Sequence, residues 1–307
     1  NWFASPFISP HHKTIGSYWF IALSIKLFGR SELALRLPSI LASFICLFIS
    51  YLIALEISDK KSALISVLSL SSMPLWIQYS RYASPDILFV LCILLVILFF
   101  LKFLVSKKSI HKYFYIFFSG LFISISFFIR SYMLLVPLIG LTPFIGFHLL
   151  KSTKNIFNIF LSGILIGSFP TFLSLFFSYK EFGMAGITTL FDFAKKQAIG
   201  GFDIKNLFFI PLNYLYLTFP IGILLIILLI FTRSRNNINY PLLTICYPLI
   251  SLSILMFMST TYPHYYLFLA PPFSILFSIK IQNYTFRFLE SKKTIKYLLA
   301  LVMMIIS

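Results

Sequence analysis

Nine apolar runs, at 37–57, 62–79, 87–105, 113–129, 131–150, 156–178, 206–231, 240–258 and 264–280, fill most of the chain, and a tenth begins near 296. A helix rises about 1.5 Å per residue, so roughly 20 apolar residues match a hydrocarbon layer about 30 Å thick. Charged residues make up 11% of the chain against 59% hydrophobic ones, too few to coat a water-soluble domain of this length. The sequence therefore predicts an all-α polytopic membrane protein, with about nine full transmembrane helices, an interfacial helix and a truncated last span.

The interfacial element is "SYWFIALSIKLF" (17–28), which carries Lys26 and three aromatics, Tyr18, Trp19 and Phe20, near its start. Twelve residues give about 18 Å of helix, too short to cross, and the segment reads as lying on the membrane. This choice sets the topology. One side then holds "SDKK", "KFLVSKKSIHK", "KSTK", "RSRNN" and "KIQNYTFRFLESKKTIK", with 15 of the 25 Lys and Arg. That bias makes those loops cytoplasmic. The opposite, outer side holds residues 1–36, "RYASPD", Arg130, the 179–205 loop and "STTYPHYY". Four regions follow: an outer-face loop and interfacial helix (1–36), a transmembrane core (37–178), an outer-face loop (179–205) and C-terminal transmembrane helices (206–307). Both ends of the chain read as cuts through a longer protein.

A net charge of +17 would suggest nucleic acid in a soluble protein. Here it reads as topology signal and contact with anionic lipid, with no nucleic-acid partner. Cys46, Cys92 and Cys246 lie within apolar runs without metal-ligand spacing and read as small buried hydrophobes. No ionisable residue stands at the centre of a span, which argues against a proton pump or ion-coupled transporter.

Eight acidic residues occur in the whole chain, and one of them, Asp86, closes "RYASPD" between two apolar runs. Ser84 suits an N-cap, Pro85 the first helical position, and an acid in the first turn favours the helix dipole. Asp86 is thus compatible with a plain helix start and with a site; Arg81 is likewise compatible with an interface anchor. Arg130, in "FFIRSYMLLVPL", sits at a sharp turn between two runs with no neighbouring acid. A charge at that depth requires a counter-anion, and a phosphate fits. In "SPHHKTIGSYW", Lys13 is placed where a lipid phosphate would lie; His11 and His12 are adjacent in sequence and poorly suited to share one metal ion. "YPHYYLFLAPP" puts His264, Tyr265 and Tyr266 at the outer end of a proline-kinked helix, as interface belt or as pocket lining.

In this order these stretches resemble the protein O-mannosyltransferase and aminoarabinose-transferase family, integral-membrane glycosyltransferases of the GT-C type that use polyprenyl-phosphate sugars. The likeness is best over 1–105: a Trp, a Lys before an aromatic helix, "LFGRSELALRLPS", then "RYASPD"; "PHYYLFLAPP" resembles a late family element. Where the family has an acid followed by Lys-Pro-Pro, this chain reads His12, Lys13, Thr14, Ile15, so only the lysine carries over. The resemblance implies a main catalytic carboxylate upstream of the Trp, and so upstream of Asn1. It further implies Lys13, Arg81 and Arg130 as donor-phosphate ligands, Asp86 and Arg81 as catalytic groups, and His11, His12, Tyr18, His264 and Tyr265 as pocket lining. Asp86 would orient the acceptor or sugar, help hold a metal, or fix Arg81. No cofactor is required; a divalent cation is possible, but nothing in the sequence supports one.

The function that follows is transfer of a sugar from a polyprenyl-phosphate donor to a lipid, glycan or protein acceptor. The site would face the periplasm from a bacterial inner membrane, with membrane lipids as further partners. The alternatives are a lipid-linked saccharide flippase, for which neither an internal repeat nor deep polar residues are seen, and a non-catalytic paralogue.

Overall fold

The computed structural model describes Thr14 and residues 16–199, 204–231, 240–258 and 262–290. Lys13, His11 and His12 lie outside the described residues, as does the run from 296. Among the described residues the chain is helical throughout, with no strand.

Helix α1, Gly16–Phe28, ends at Gly29, whose φ of 79° is a left-handed turn that glycine adopts at no steric cost. Helix α2, Glu32–Ile57, starts at Ser31, whose hydroxyl accepts from the Ala34 N–H at 3.1 Å. Asp59 caps α3, Lys60–Ser72, in the same way, accepting from the Ser62 N–H at 2.9 Å. The predicted run 62–79 is not one helix. Pro74 has no N–H to continue the ladder, so α3 stops at Ser72 and α4, Pro74–Ser80, begins after Met73.

Helices α5, Pro85–Val105, and α6, Ser109–Arg130, form an antiparallel pair joined by three residues. α5 is apolar on every face and is buried by α2 and α6, as expected of a central helix. α6 packs closely on α8, Lys154–Phe182, through small residues. A Cβ on Gly120 would lie 2.7 Å from the Ile164 carbonyl oxygen and 3.0 Å from the Gly167 Cα. The Ser124 hydroxyl donates to the Ser168 carbonyl at 3.1 Å across the same seam. Between them, α7, Leu135–Leu150, packs instead on α12, Tyr247–Met256.

The segment 179–205, expected to be a loop, is largely helical. α8 runs on to Phe182, Gly183 turns the chain at φ 58°, and α9 covers Ala185–Ile199. The run 206–231 is also broken: α10, Asn206–Leu217, and α11, Ile221–Phe231, are bent by 112° at Thr218–Pro220. Pro220 again removes the donor a continuous helix needs. α13, Ala270–Glu290, follows a 3₁₀ turn at Pro263–Leu269 and packs on α3 and α11. Four described helical segments are long and apolar enough to cross a membrane, or five if the bent pair counts as one span.

The two ends of the bundle differ in chemistry. Glu56 ion-pairs with Lys102, and Gln282 donates to Asp59 at 2.7 Å, at the end where α2 and α5 finish and α13 passes. Asp86, Arg130 and His264 gather at the other end.

Candidate functional site

Asp86 stands at the second position of α5 and is 6% exposed. Local sequence puts it there: the Ser84 hydroxyl accepts from the Asp86 N–H at 3.2 Å and in turn donates to its carboxylate. Ser84 is itself held by α2, where the Ser39 hydroxyl donates to the Ser84 carbonyl at 3.2 Å. The carboxylate is therefore fixed by two layers of hydrogen bonds on rigid helices rather than by a loop.

Its ion-pair partner is Arg130, not Arg81. Among the described residues Arg81 forms no ion pair; it ends α4 with an exposed side chain. The expectation that Asp86 would fix Arg81 is thus corrected. The reason is register: α5 and α6 run antiparallel across a three-residue connection, so the second residue of one meets the last residue of the other. The same contact supplies Arg130 with a carboxylate, a counter-anion that is absent from its sequence neighbourhood. Both groups are largely withdrawn from solvent, with side chains 20% and 8% exposed.

Aromatic rings close around the pair. The Arg130 guanidinium lies 5.9 Å from the centre of the Tyr265 ring, a cation–π distance. Tyr18 and Tyr79 are also within electrostatic reach of Arg130, although Tyr18 is 59% exposed. His264 packs edge-on against Tyr265 at 4.6 Å and Tyr79 at 6.0 Å, and lies parallel to Tyr262 at 5.5 Å. Tyr79 meets Tyr82 at 5.6 Å. Of the residues singled out in the sequence, Asp86, Arg130, His264, Tyr265 and Tyr18 come together; Arg81 stands apart from the ion pair.

Two contributors were not singled out in the sequence. Tyr79 falls in the last turn of α4 and looked like part of an apolar run. Ser131 follows Arg130 with φ 49° and ψ −136°, a conformation that costs a non-glycine residue roughly 1–3 kcal/mol. Its hydroxyl is buried and has no hydrogen-bond partner among the described residues. A buried guanidinium and, one residue on, an unsatisfied hydroxyl are both groups able to donate to an oxyanion. Among the described residues, no three His, Cys, Asp or Glu side chains converge on a metal position.

Residues 12–173, more than half of the chain, match the family model described as dolichyl-phosphate-mannose-protein mannosyltransferase. The chain belongs to this family. The mannosyltransferase-family fold is shared with ArnT from Cupriavidus metallidurans. The crystal structure bound to undecaprenyl phosphate superposes with a TM-score of 0.72 at 14% identity, over 92% of this chain and 52% of that one. The apo ArnT structure gives a TM-score of 0.65 at 15% identity, over 88% and 49%. An uncharacterized protein of Aquifex aeolicus (strain VF5) is 35% identical over 94 residues, 30% of this chain and 19% of that protein. This member of the mannosyltransferase family thus spans about half the length of the ArnT chains it resembles.

Proposed function

We propose that this protein transfers a sugar from a polyprenyl-phosphate donor, with its site at the end of the bundle where Asp86 and Arg130 meet. The observation that carries the reading is the withdrawn Asp86–Arg130 pair, which Ser131 with its unsatisfied hydroxyl follows in the chain. When the glycosidic bond breaks, the phosphate gains negative charge. A guanidinium already fixed in place stabilises that oxygen more in the transition state than in the ground state. Family membership and the likeness to an undecaprenyl-phosphate-bound ArnT support a lipid-phosphate donor.

In this reading Asp86 holds Arg130 in place before the donor arrives and orients the acceptor hydroxyl once phosphate has taken over the guanidinium. Arg81, exposed at the end of α4, adds positive charge at this end for the donor phosphate, and the same role expected of Lys13 falls outside the described residues. Tyr18, His264 and Tyr265 offer aromatic faces that suit the C–H surfaces of a sugar ring, and the pocket-lining roles expected of His11 and His12 fall outside the described residues. The distribution of basic loops favours the periplasmic face of a bacterial inner membrane for this end of the bundle. The acceptor is a lipid, glycan or protein hydroxyl or amine. Among the described residues, the broken α10–α11 pair is a feature in common with transporters, but its break carries only Thr218 as a polar side chain, and that hydroxyl donates back to the Tyr214 carbonyl at 2.8 Å.

The test is transfer from a radiolabelled polyprenyl-phosphate sugar in membranes carrying the complete protein. Arg130→Gln and Asp86→Asn should each reduce transfer by at least about 100-fold. Transfer at the unsubstituted rate in both variants would rule out this site.

A further inference from the structure

A second feature lies well away from Asp86. Helices α5, α6, α7 and α8 enclose a cavity of about 130 Å³. Its walls are apolar apart from Ser119, whose hydroxyl already donates to the Val96 carbonyl at 3.5 Å. Cavities of about 150 Å³ lined by aliphatic and aromatic groups stay dry and accept hydrocarbon. The segment Val96–Phe100 lies about 15–21 Å along α5 from Asp86, in the opposite half of the bundle. α7 packs on α12 while α8 packs on α6, and Ile145, Phe160 and Ile164 are only half-buried between them. The cavity therefore opens sideways, towards the hydrocarbon layer.

Its end nearest the water is cationic, and helix periodicity places the charges there. On α7 the lining residues Leu141, Phe144 and Ile145 are continued on the same face by His148 and Lys151. His148 contacts Phe144 at 5.0 Å, and the Lys151 ammonium sits 3.8 Å over the Phe147 ring. On α6, Lys112 lies seven residues before Ser119 and stacks 5.7 Å from Phe103, which in turn touches Phe160. Lys112 and Lys151 make no ion pair among the described residues, whereas nearby Lys102 is neutralised by Glu56.

We propose that this is a binding site for an anionic glycerophospholipid of the leaflet facing the basic loops. One acyl chain enters between α7 and α8 and fills the cavity, and the phosphate rests on Lys112 and Lys151. The charge, the dryness and the lateral opening together select an anionic amphiphile over either a free anion or an uncharged lipid. The site is independent of the sugar-transfer reading and requires only that the chain be in a membrane.

Native mass spectrometry of the full chain in detergent, titrated with phosphatidylglycerol or with phosphatidylcholine of identical acyl chains, tests it. Phosphatidylglycerol should bind about ten-fold more tightly. Lys112→Gln with Lys151→Gln should erase that preference while leaving phosphatidylcholine retention unchanged. Ile145→Trp should fill the cavity and lower retention of both lipids; Leu138→Phe serves if the first variant lacks an unfolding transition in lipid-free detergent. Equal binding of the two lipids, or a preference that survives the double lysine variant, would overturn the proposal. So would loss of phosphatidylglycerol binding in Arg130→Gln, or its stoichiometric displacement by undecaprenyl phosphate, because the lipid would then occupy the donor's site.

Discussion

Asp86 and Arg130 illustrate how a withdrawn ion pair couples stability to function. Removing one partner leaves an uncompensated charge, at a cost of about 3–5 kcal/mol, whereas removing both leaves none. Thermal unfolding in detergent should therefore show strong coupling in the Asp86→Asn, Arg130→Gln cycle. The double variant should be more stable than the sum of the single losses predicts, by about 2–3 kcal/mol. Ser131 separates strain from chemistry in the same neighbourhood. Ser131→Gly relieves its φ of 49° and should hold or raise the melting temperature, yet it removes the orphaned hydroxyl and should raise the KM for the donor several-fold. Asp59 offers a pH test at the other end. Partial burial pushes its carboxyl up, but hydrogen bonds from the Ser62 N–H, the Gln282 amide and the Ser62 hydroxyl hold it below the usual value. A depressed folded-state value contributes stability above the ordinary carboxylate range and loses it as pH falls through the depressed value. The stability gap between the protein and Asp59→Asn should be present at pH 7 and close below about pH 4.

At the scale of elements, the α6–α8 seam shows what holds adjacent helices together when lipid is as apolar as the side chains. There the gain comes from close backbone approach, which small residues permit. Gly167 faces the Phe117 carbonyl and the Gly120 Cα across that seam, and Ser124 binds both the Ser168 carbonyl and the Thr171 hydroxyl. Gly167→Leu should separate the pair and destabilise the protein by about 1–3 kcal/mol, read as a lower melting temperature in detergent. The same helices show where periodicity stops being informative. The continuous apolar runs 62–79 and 206–231 looked like single spans, because hydropathy averages over a proline that interrupts the hydrogen-bond ladder. The polar composition of 179–205 suggested a loop, although Gly183 supplies a turn and residues 185–199 form an amphipathic helix beyond it.

The molecule as a whole is polarised along its axis. One end carries Asp86, Arg130 and the aromatic ring; the other carries the Asp59–Gln282 and Glu56–Lys102 contacts and the short basic connections. Cysteine labelling checks this directly once Cys246, which is only partly buried and not the buried residue its sequence suggested, is replaced by Ser; Cys46 and Cys92 are buried and should give little background. A cysteine at Arg81 should react with an impermeant maleimide added outside spheroplasts. One at Lys107 should react only after lysis, and reaction of both from outside would refute the orientation.

Much of this was legible in the chain itself. The length of the apolar runs dictated helices in a membrane, and the basic loops alternated in a way that put Asp86, Arg130 and His264 at one end. The "SPD" triplet specified a capped helix start, because capping depends only on residues within one turn. Pairing was another matter. Arg81 is five residues from Asp86 in sequence, Arg130 is 44 residues away, and the antiparallel register of α5 and α6 makes the distant arginine the partner. Ser131 and Tyr79 carried no signal of their own, since a strained φ and an edge-on ring contact exist only after the helices have packed. Sequence determined which groups belong to which end of the bundle, because hydrophobic thickness and charge act on each segment alone. The tertiary structure decided which of them touch, because contact between helices is set by packing register, which no single segment contains.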